Sequence, residues 1–87
     1  MIQLAEMGDP RASDPAHHAA AVTPSDIDDL AMASTAIFIG GRGDLQVTMA
    51  GGEVVTFVGM PVGWHPIRVT RVWGTGTTAS DIVAVWR

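Results

Sequence analysis

Two runs of strand-forming residues, 44–50 and 53–58, stand on either side of Gly51-Gly52. Paired glycines supply the positive φ that a tight two-residue hairpin demands, so this stretch has the least freedom to be anything but a β-hairpin. A two-residue loop sets Ala50 opposite Glu53, Met49 opposite Val54, Thr48 opposite Val55, Val47 opposite Thr56, Gln46 opposite Phe57 and Leu45 opposite Val58. Opposed residues share a face. One face then carries Leu45, Val47, Met49, Val54 and Val58, and the other carries Gln46 and Thr48 together with Val55 and Phe57. A sheet with one wet side reads polar on that side. This hairpin does not, so a second sheet or a second copy of the chain is expected to cover it.

The period-two pattern extends from Thr35 to the end. Five strands are predicted, at Thr35–Gly40, Asp44–Ala50, Glu53–Val58, Ile67–Trp73 and Asp81–Trp86, each rich in Val, Ile, Phe, Trp or Thr and bounded by Gly, Pro or Asp. The last has apolar residues on both sides (Ile82, Ala84 and Trp86; Val83 and Val85), which places it centrally or at a contact. The fourth puts Arg71 on the same face as Val69. A bulge that turns Arg71 outward is the common solution to that conflict. Residues 59–66 read as a loop, and 74–80 as a longer hairpin connection between the last two strands. The expected fold is all-β: a small five-stranded antiparallel β-sandwich or barrel over residues 35–87, preceded by an extended acidic N-terminal arm over residues 1–34.

The arm carries Gly8, Pro10, Pro15 and Pro24 and little periodicity. Thr23-Pro24-Ser25-Asp26 signals a turn or a short helix near 23–33, with Thr23 as cap and the acids at the positive helix end. Residues 1–34 hold Glu6, Asp9, Asp14, Asp26, Asp28 and Asp29 against Arg11, a net of −5. Residues 35–87 hold Arg42, Arg68, Arg71 and Arg87 against Asp44, Glu53 and Asp81, a net of +1. An acidic arm on a near-neutral body suits either a solvated tail or a segment that lies across a neighbouring subunit.

With 87 residues, the chain is one domain with a limited core. Yet 47% of it is hydrophobic and only 16% charged. That excess of apolar surface points to a homo-oligomer. Lysine is absent and the net charge is −4, which disfavours nucleic acid as a partner. No apolar run is long enough to span a membrane, and the N-terminus lacks the basic and apolar regions of a signal peptide. Without cysteine there is neither a disulfide nor a thiolate metal site.

No catalytic or cofactor-binding constellation is expected. His17-His18 lacks a third metal ligand at recognisable spacing. Asp26, Asp28 and Asp29 lack the glycine turn and terminal glutamate of a calcium loop. No serine, cysteine or acid accompanies His65. Asp44 and Glu53 fall at opposite ends of the hairpin, too far apart to act as a glycosidase pair. Trp64, Trp73 and Trp86 are large anchors, better suited to core or subunit contacts than to sugar stacking. The residues expected at an interface or in the core are Val55, Phe57, Trp64, Trp73, Val83, Val85 and Trp86.

Several blocks resemble a known family. These are Ala21-Val22-Thr23-Pro24-Ser25-Asp26 with Asp29-Leu30, Ala36-Ile37-Phe38-Ile39-Gly40, Gly43-Asp44-Leu45-Gln46-Val47-Thr48, Gly51-Gly52-Glu53-Val54-Val55-Thr56-Phe57, Val62-Gly63, Pro66-Ile67-Arg68-Val69, Arg71-Val72-Trp73, Thr75-Gly76-Thr77-Thr78-Ala79 and Ile82-Val83-Ala84-Val85-Trp86. In order and spacing they are similar to the spike base proteins of gene transfer agents and related phages, over residues 21–87. The resemblance implies a virion structural protein, not an enzyme, made in the bacterial cytoplasm and placed on the outer head surface. It implies a ring, a pentamer by the family pattern, seated on major capsid protein at the vertices. That ring would carry a spike fibre protein involved in host attachment. The alternative from the residues is a small carbohydrate-binding module using an exposed tryptophan, Trp64 first.

Overall fold

The computed structural model describes residues 16–87. The first part of the expected arm, residues 1–15, lies outside the described residues. Among the described residues there are seven strands and no helix: β1 (His18–Ala21), β2 (Ala36–Gly41), β3 (Gly43–Met49), β4 (Val54–Met60), β5 (Gly63–His65), β6 (Val69–Val72) and β7 (Ser80–Trp86). They form a four-stranded sheet in the order β1-β7-β2-β5 and a three-stranded sheet in the order β4-β3-β6, antiparallel throughout.

The chain changes sheet repeatedly. Arg42 alone separates β2 from β3, and a Cβ on Gly43 would lie 2.5 Å from the Ala79 nitrogen, so only glycine fits this corner. Residues 61–62 carry the chain back to the four-stranded sheet, 66–68 return it, and 73–79 cross again. The last segment, expected as a hairpin connection, is therefore a crossover between sheets. Inward residues of both sheets meet between them: Ile37, Ile39, Ile82 and Ala84 from one, Leu45, Val47, Val69 and Val72 from the other, all almost fully buried. Each of the Ile, Leu and Val side chains among them contributes about 1.5–3 kcal/mol relative to exposure. This is a sandwich with one aliphatic core, which settles the choice between sandwich and barrel.

The five expected strands are β2, β3, β4, β6 and β7. Two more exist. β1 was expected to be free arm and instead pairs along its length with β7, from His18↔Trp86 to Ala21↔Val83. β5 was expected to be loop and pairs with β2 through Phe38↔Trp64. Residues 16–34 of the expected arm run along the two sheets. After β1, the Ser25, Leu30 and Ser34 amides donate in turn to Val72, Thr70 and Val69 carbonyls at 2.8–3.0 Å. The segment thereby covers the outer edge of β6, an edge that would otherwise be open to unwanted pairing. No helix forms there. Ser25, not Thr23, makes the turn, its Oγ accepting from the amides of Ile27 (3.2 Å) and Asp28 (3.1 Å).

The hairpin register is also corrected. Thr48 faces Val54, Val47 faces Val55, Gln46 faces Thr56 and Leu45 faces Phe57. The loop has three residues, Ala50-Gly51-Gly52, closed by Gly52 N–H to Met49 O (2.8 Å) and Met49 N–H to Glu53 O (2.7 Å), with Gly52 at φ +105°. A three-residue loop needs one positive-φ glycine where a two-residue loop of this kind needs two. The one-residue slip moves every side chain of β4 to the other face. Val55 and Phe57 share the inner side with Leu45 and Val47, while Val54 and Val58 point outward beside Gln46 and Thr48.

β6 behaves as expected. Its register against β3 shifts between Thr48 and Met49. Val69 and Val72 both turn inward, and Arg71, opposite Thr48, turns out.

Candidate assembly surface

The two outer faces of the sandwich differ in kind. The three-stranded sheet presents Gln46, Thr48, Thr56, Arg71 and Trp73, tied by side-chain hydrogen bonds. Thr56 Oγ1 donates to Gln46 Oε1 (3.2 Å), and Trp73 Nε1 donates to Thr48 Oγ1 (3.0 Å). This is an ordinary wet surface, with Val54 and Val58 added on its edge strand.

The four-stranded sheet presents almost nothing polar. Alternation places Ala19 and Ala21 of β1, Val83 and Val85 of β7, Ala36, Phe38 and Gly40 of β2 and Trp64 of β5 on its outer face. Asp81 interrupts this at one end. One cross-strand row, Ala21–Val83–Phe38–Trp64, runs the full width of the sheet. Phe38 and Trp64 meet edge to face, with ring centroids 5.1 Å apart, a favourable aromatic geometry. Trp64 is 62% exposed. A row of apolar side chains with no covering layer is the mark of a contact surface.

The residues singled out from sequence fall into four groups. Val83, Val85 and Trp64 belong to the apolar outer face, where Val85 is buried and Val83 half-buried. Phe57 is half-buried against the aliphatic core, and Val55 lies on the same inner side of the edge strand, 37% exposed. Trp73 lies on the polar face beneath the Arg71 guanidinium, 5.0 Å from its ring centroid. Trp86 stacks on His18 at 5.6 Å and lines a cleft of about 320 Å³ closed over by Leu30 and Met32. Sequence reasoning missed Phe38, Ala21, Val54 and Val58. The last two, 54% and 80% exposed, were hidden by the register slip. Phe38 was legible as the outward residue between inward Ile37 and Ile39.

The acids of 26–29 do structural work. Asp26 Oδ1 accepts from the Thr75 amide (2.8 Å) and Oδ2 from Thr75 Oγ1 (2.6 Å). These bonds, the hydroxyl's first, hold the Asp26 carboxyl below its ordinary pKa. Arg71 binds Asp29 Oδ1 (2.8 Å) and donates to the carbonyls of Asp26 (3.0 Å) and Ile27 (3.3 Å). The turn is thus clamped to β6 and to the crossover that follows it. His17 and His18 lie with ring centroids 6.5 Å apart, and among the described residues no three metal-ligating side chains converge.

The fold is a two-sheet sandwich with one apolar outer face, and the polar groups described above hold its own loops. Its likeness to a solved particle names the class more closely. A chain in a structure described as the capsid of a native GTA (gene transfer agent) particle computed with C5 symmetry is 35% identical; the match covers 82% of this chain and 83% of that one, with a TM-score of 0.72. The chain belongs to the family of gene transfer agent and phage capsid structural proteins. No protein-family model and no curated protein matches it.

Proposed function

We propose that this virion structural protein is the base of a head spike. It works as one copy in a ring, a pentamer, seated on major capsid protein at the vertices and carrying a spike fibre protein for attachment to the host surface. It performs no catalysis. The observation that carries this reading is the apolar row Ala21–Val83–Phe38–Trp64 on the outside of the four-stranded sheet, which calls for a protein neighbour. Two further facts support it: the similar chain belongs to a particle treated with fivefold symmetry, and the blocks over residues 21–87 resemble spike base proteins.

The test is light scattering coupled to size-exclusion chromatography, on the chain alone and mixed with capsid. A ring alone, or capture by capsid at vertex stoichiometry, is expected. A chain that stays monomeric and never joins the capsid would end the proposal.

Trp64 favours one second reading, a carbohydrate-binding module. A 62%-exposed tryptophan on a sheet edge is the platform on which sugars stack. Titration with capsular polysaccharide, read by tryptophan fluorescence, tests it. Quenching abolished by Trp64→Ala would assign sugar binding to this chain.

A further inference from the structure

The edges of the two sheets are not alike. That of β6 is covered by residues 25–34, whose amides donate to it. β1 and β5 are only four and three residues long. β4 ends the three-stranded sheet with seven residues, Val54–Met60, and among the described residues no strand pairs with its outer side. It contains neither a charge nor a proline. Val54, Val55 and Val58 are exposed along it. A long apolar edge in this state is a template for another strand.

The ladder with β3 decides which backbone groups are on offer. Met49 N–H donates to Glu53 O, so bonded pairs recur at Val55 and Phe57. The N–H and C=O groups of Val54, Thr56 and Val58 therefore point away from β3. This array is self-complementary. About a twofold axis at Thr56, Thr56 meets Thr56 of a second copy, Val54 meets its Val58, and Val55 meets its Phe57 on the inner side. Glu53 arrives opposite Gly59 of that copy. A Cβ on Gly59 would lie 3.8 Å from Arg42 Nη2, so a guanidinium stands where Glu53 arrives. Arg42 and Glu53 are both exposed, and among the described residues neither has a charged partner. Moving the axis to Val55 or Phe57 takes Glu53 away from Arg42 and sets Val58 against Gly52 or Thr56.

We propose that β4 is an edge for pairing with a second copy of this chain. Two β4 strands run antiparallel about Thr56, join their three-stranded sheets into one, and place an Arg42–Glu53 ion pair at each end. The contact goes beyond the ring and does not depend on it. The row Ala21–Val83–Phe38–Trp64 lies on the other sheet, so either contact can fail without the other. In solution too dilute for pairing, the folding of the protomer does not sense it.

The chain has no cysteine, so introduced thiols report without background, in a free pair or in any larger assembly. Opposed residues of a bonded antiparallel pair lie about 5.5 Å apart at Cα, within disulfide reach. Full-length Thr56→Cys should oxidise to a covalent dimer. Val54→Cys alone and Val58→Cys alone should not, because four residues, roughly 13 Å, separate each from its own copy. Mixed, those two variants should cross-link to each other. Glu53→Arg and Arg42→Glu should each slow the cross-linking of dilute Thr56→Cys protein about tenfold, since each removes both ion pairs. The double reversal should restore the rate. Thr56→Pro removes an N–H that β3 does not use. It should keep the circular dichroism of the wild type and abolish cross-linking between the Val54→Cys and Val58→Cys variants. Thr56→Cys protein that stays uncrosslinked at high concentration would overturn the proposal. So would Val54→Cys that links to itself as fast as Thr56→Cys does, or cross-linking that survives Thr56→Pro.

Discussion

Ser34 and Val69 are joined by two hydrogen bonds that leave neither backbone group of Val69 unmatched. The Ser34 amide donates to Val69 O (3.0 Å), and Ser34 Oγ accepts from the Val69 amide (3.0 Å) while donating to Ile67 O (3.0 Å). Ser34 is fully buried. Replacing its hydroxyl with hydrogen strands a buried donor and weakens the satisfaction of a carbonyl, a loss of about 1–3 kcal/mol. Ser34→Ala should lower the urea midpoint accordingly, with an unchanged m-value.

Leu45 and Val58 are the two extremes of burial in the β3–β4 hairpin. Leu45 is fully buried between the sheets, so Leu45→Ala should cost about 2–5 kcal/mol in chemical denaturation. Val58, 80% exposed, should change stability by less than about 0.5 kcal/mol when cut to alanine.

The apolar face makes its own prediction. Ala21 is exposed on edge strand β1, at one end of the cross-strand row. Ala21→Glu should leave the circular dichroism and thermal midpoint close to wild type. In light scattering it should shift the oligomer toward monomer, because a carboxylate buried without a partner is costly.

Arg71 holds the 26–29 turn by a fork that lysine cannot reproduce. Asp29 is well exposed, so the ion pair itself is worth little. The bonds to the carbonyls of Asp26 and Ile27 and the stack on Trp73 carry more. Arg71→Ala should cost about 1–2 kcal/mol, and Arg71→Lys should recover only part of it. Hydrogen exchange at Leu30 and Ser25 should accelerate in both.

Asp26 gives the pH dependence a sign. Its carboxyl is depressed by the bonds from Thr75, so its contribution is fully present above the ordinary aspartate value of about 3.9. It is lost as the pH falls through the lower folded-state value. Protection of the Thr75 amide should hold from neutrality down to about pH 4 and fall below it. Asp26→Asn should flatten that dependence.

The sequence exposed the fold where side chains carry the strand signal. Ile37-Phe38-Ile39, Leu45 to Val47 and Ile82 to Val85 are β-formers in alternation, and their strands lie within two residues of expectation. The outward turn of Arg71 was legible too, because a buried guanidinium beside Val69 is untenable. β1 escaped because His18-Ala19-Ala20-Ala21 has no intrinsic strand preference; β7 makes it a strand by offering its free edge. β5 escaped because three residues between a glycine-rich bend and Pro66 are too few for a periodic signal. The register slipped because Gly51-Gly52 fits both a two-residue and a three-residue loop, and only the backbone bonds of Met49 decide between them. The greasy exterior was foreseen in kind, through β7 with apolar residues on both sides. Its location was not, since that depends on which strands neighbour which.

β1 runs antiparallel to β7, with His18 opposite Trp86, so both ends of the described chain leave from one pole. A label at Ala16 or Arg87 would crowd that pole and leave the far one, where Gly41 meets Ser80 and Gly43 meets Met60, unencumbered. Tension between the two ends would open the β1–β7 ladder one rung at a time instead of shearing every rung at once. A load borne by the body of the sandwich would spare that ladder, and a load on His18 and Trp86 would not.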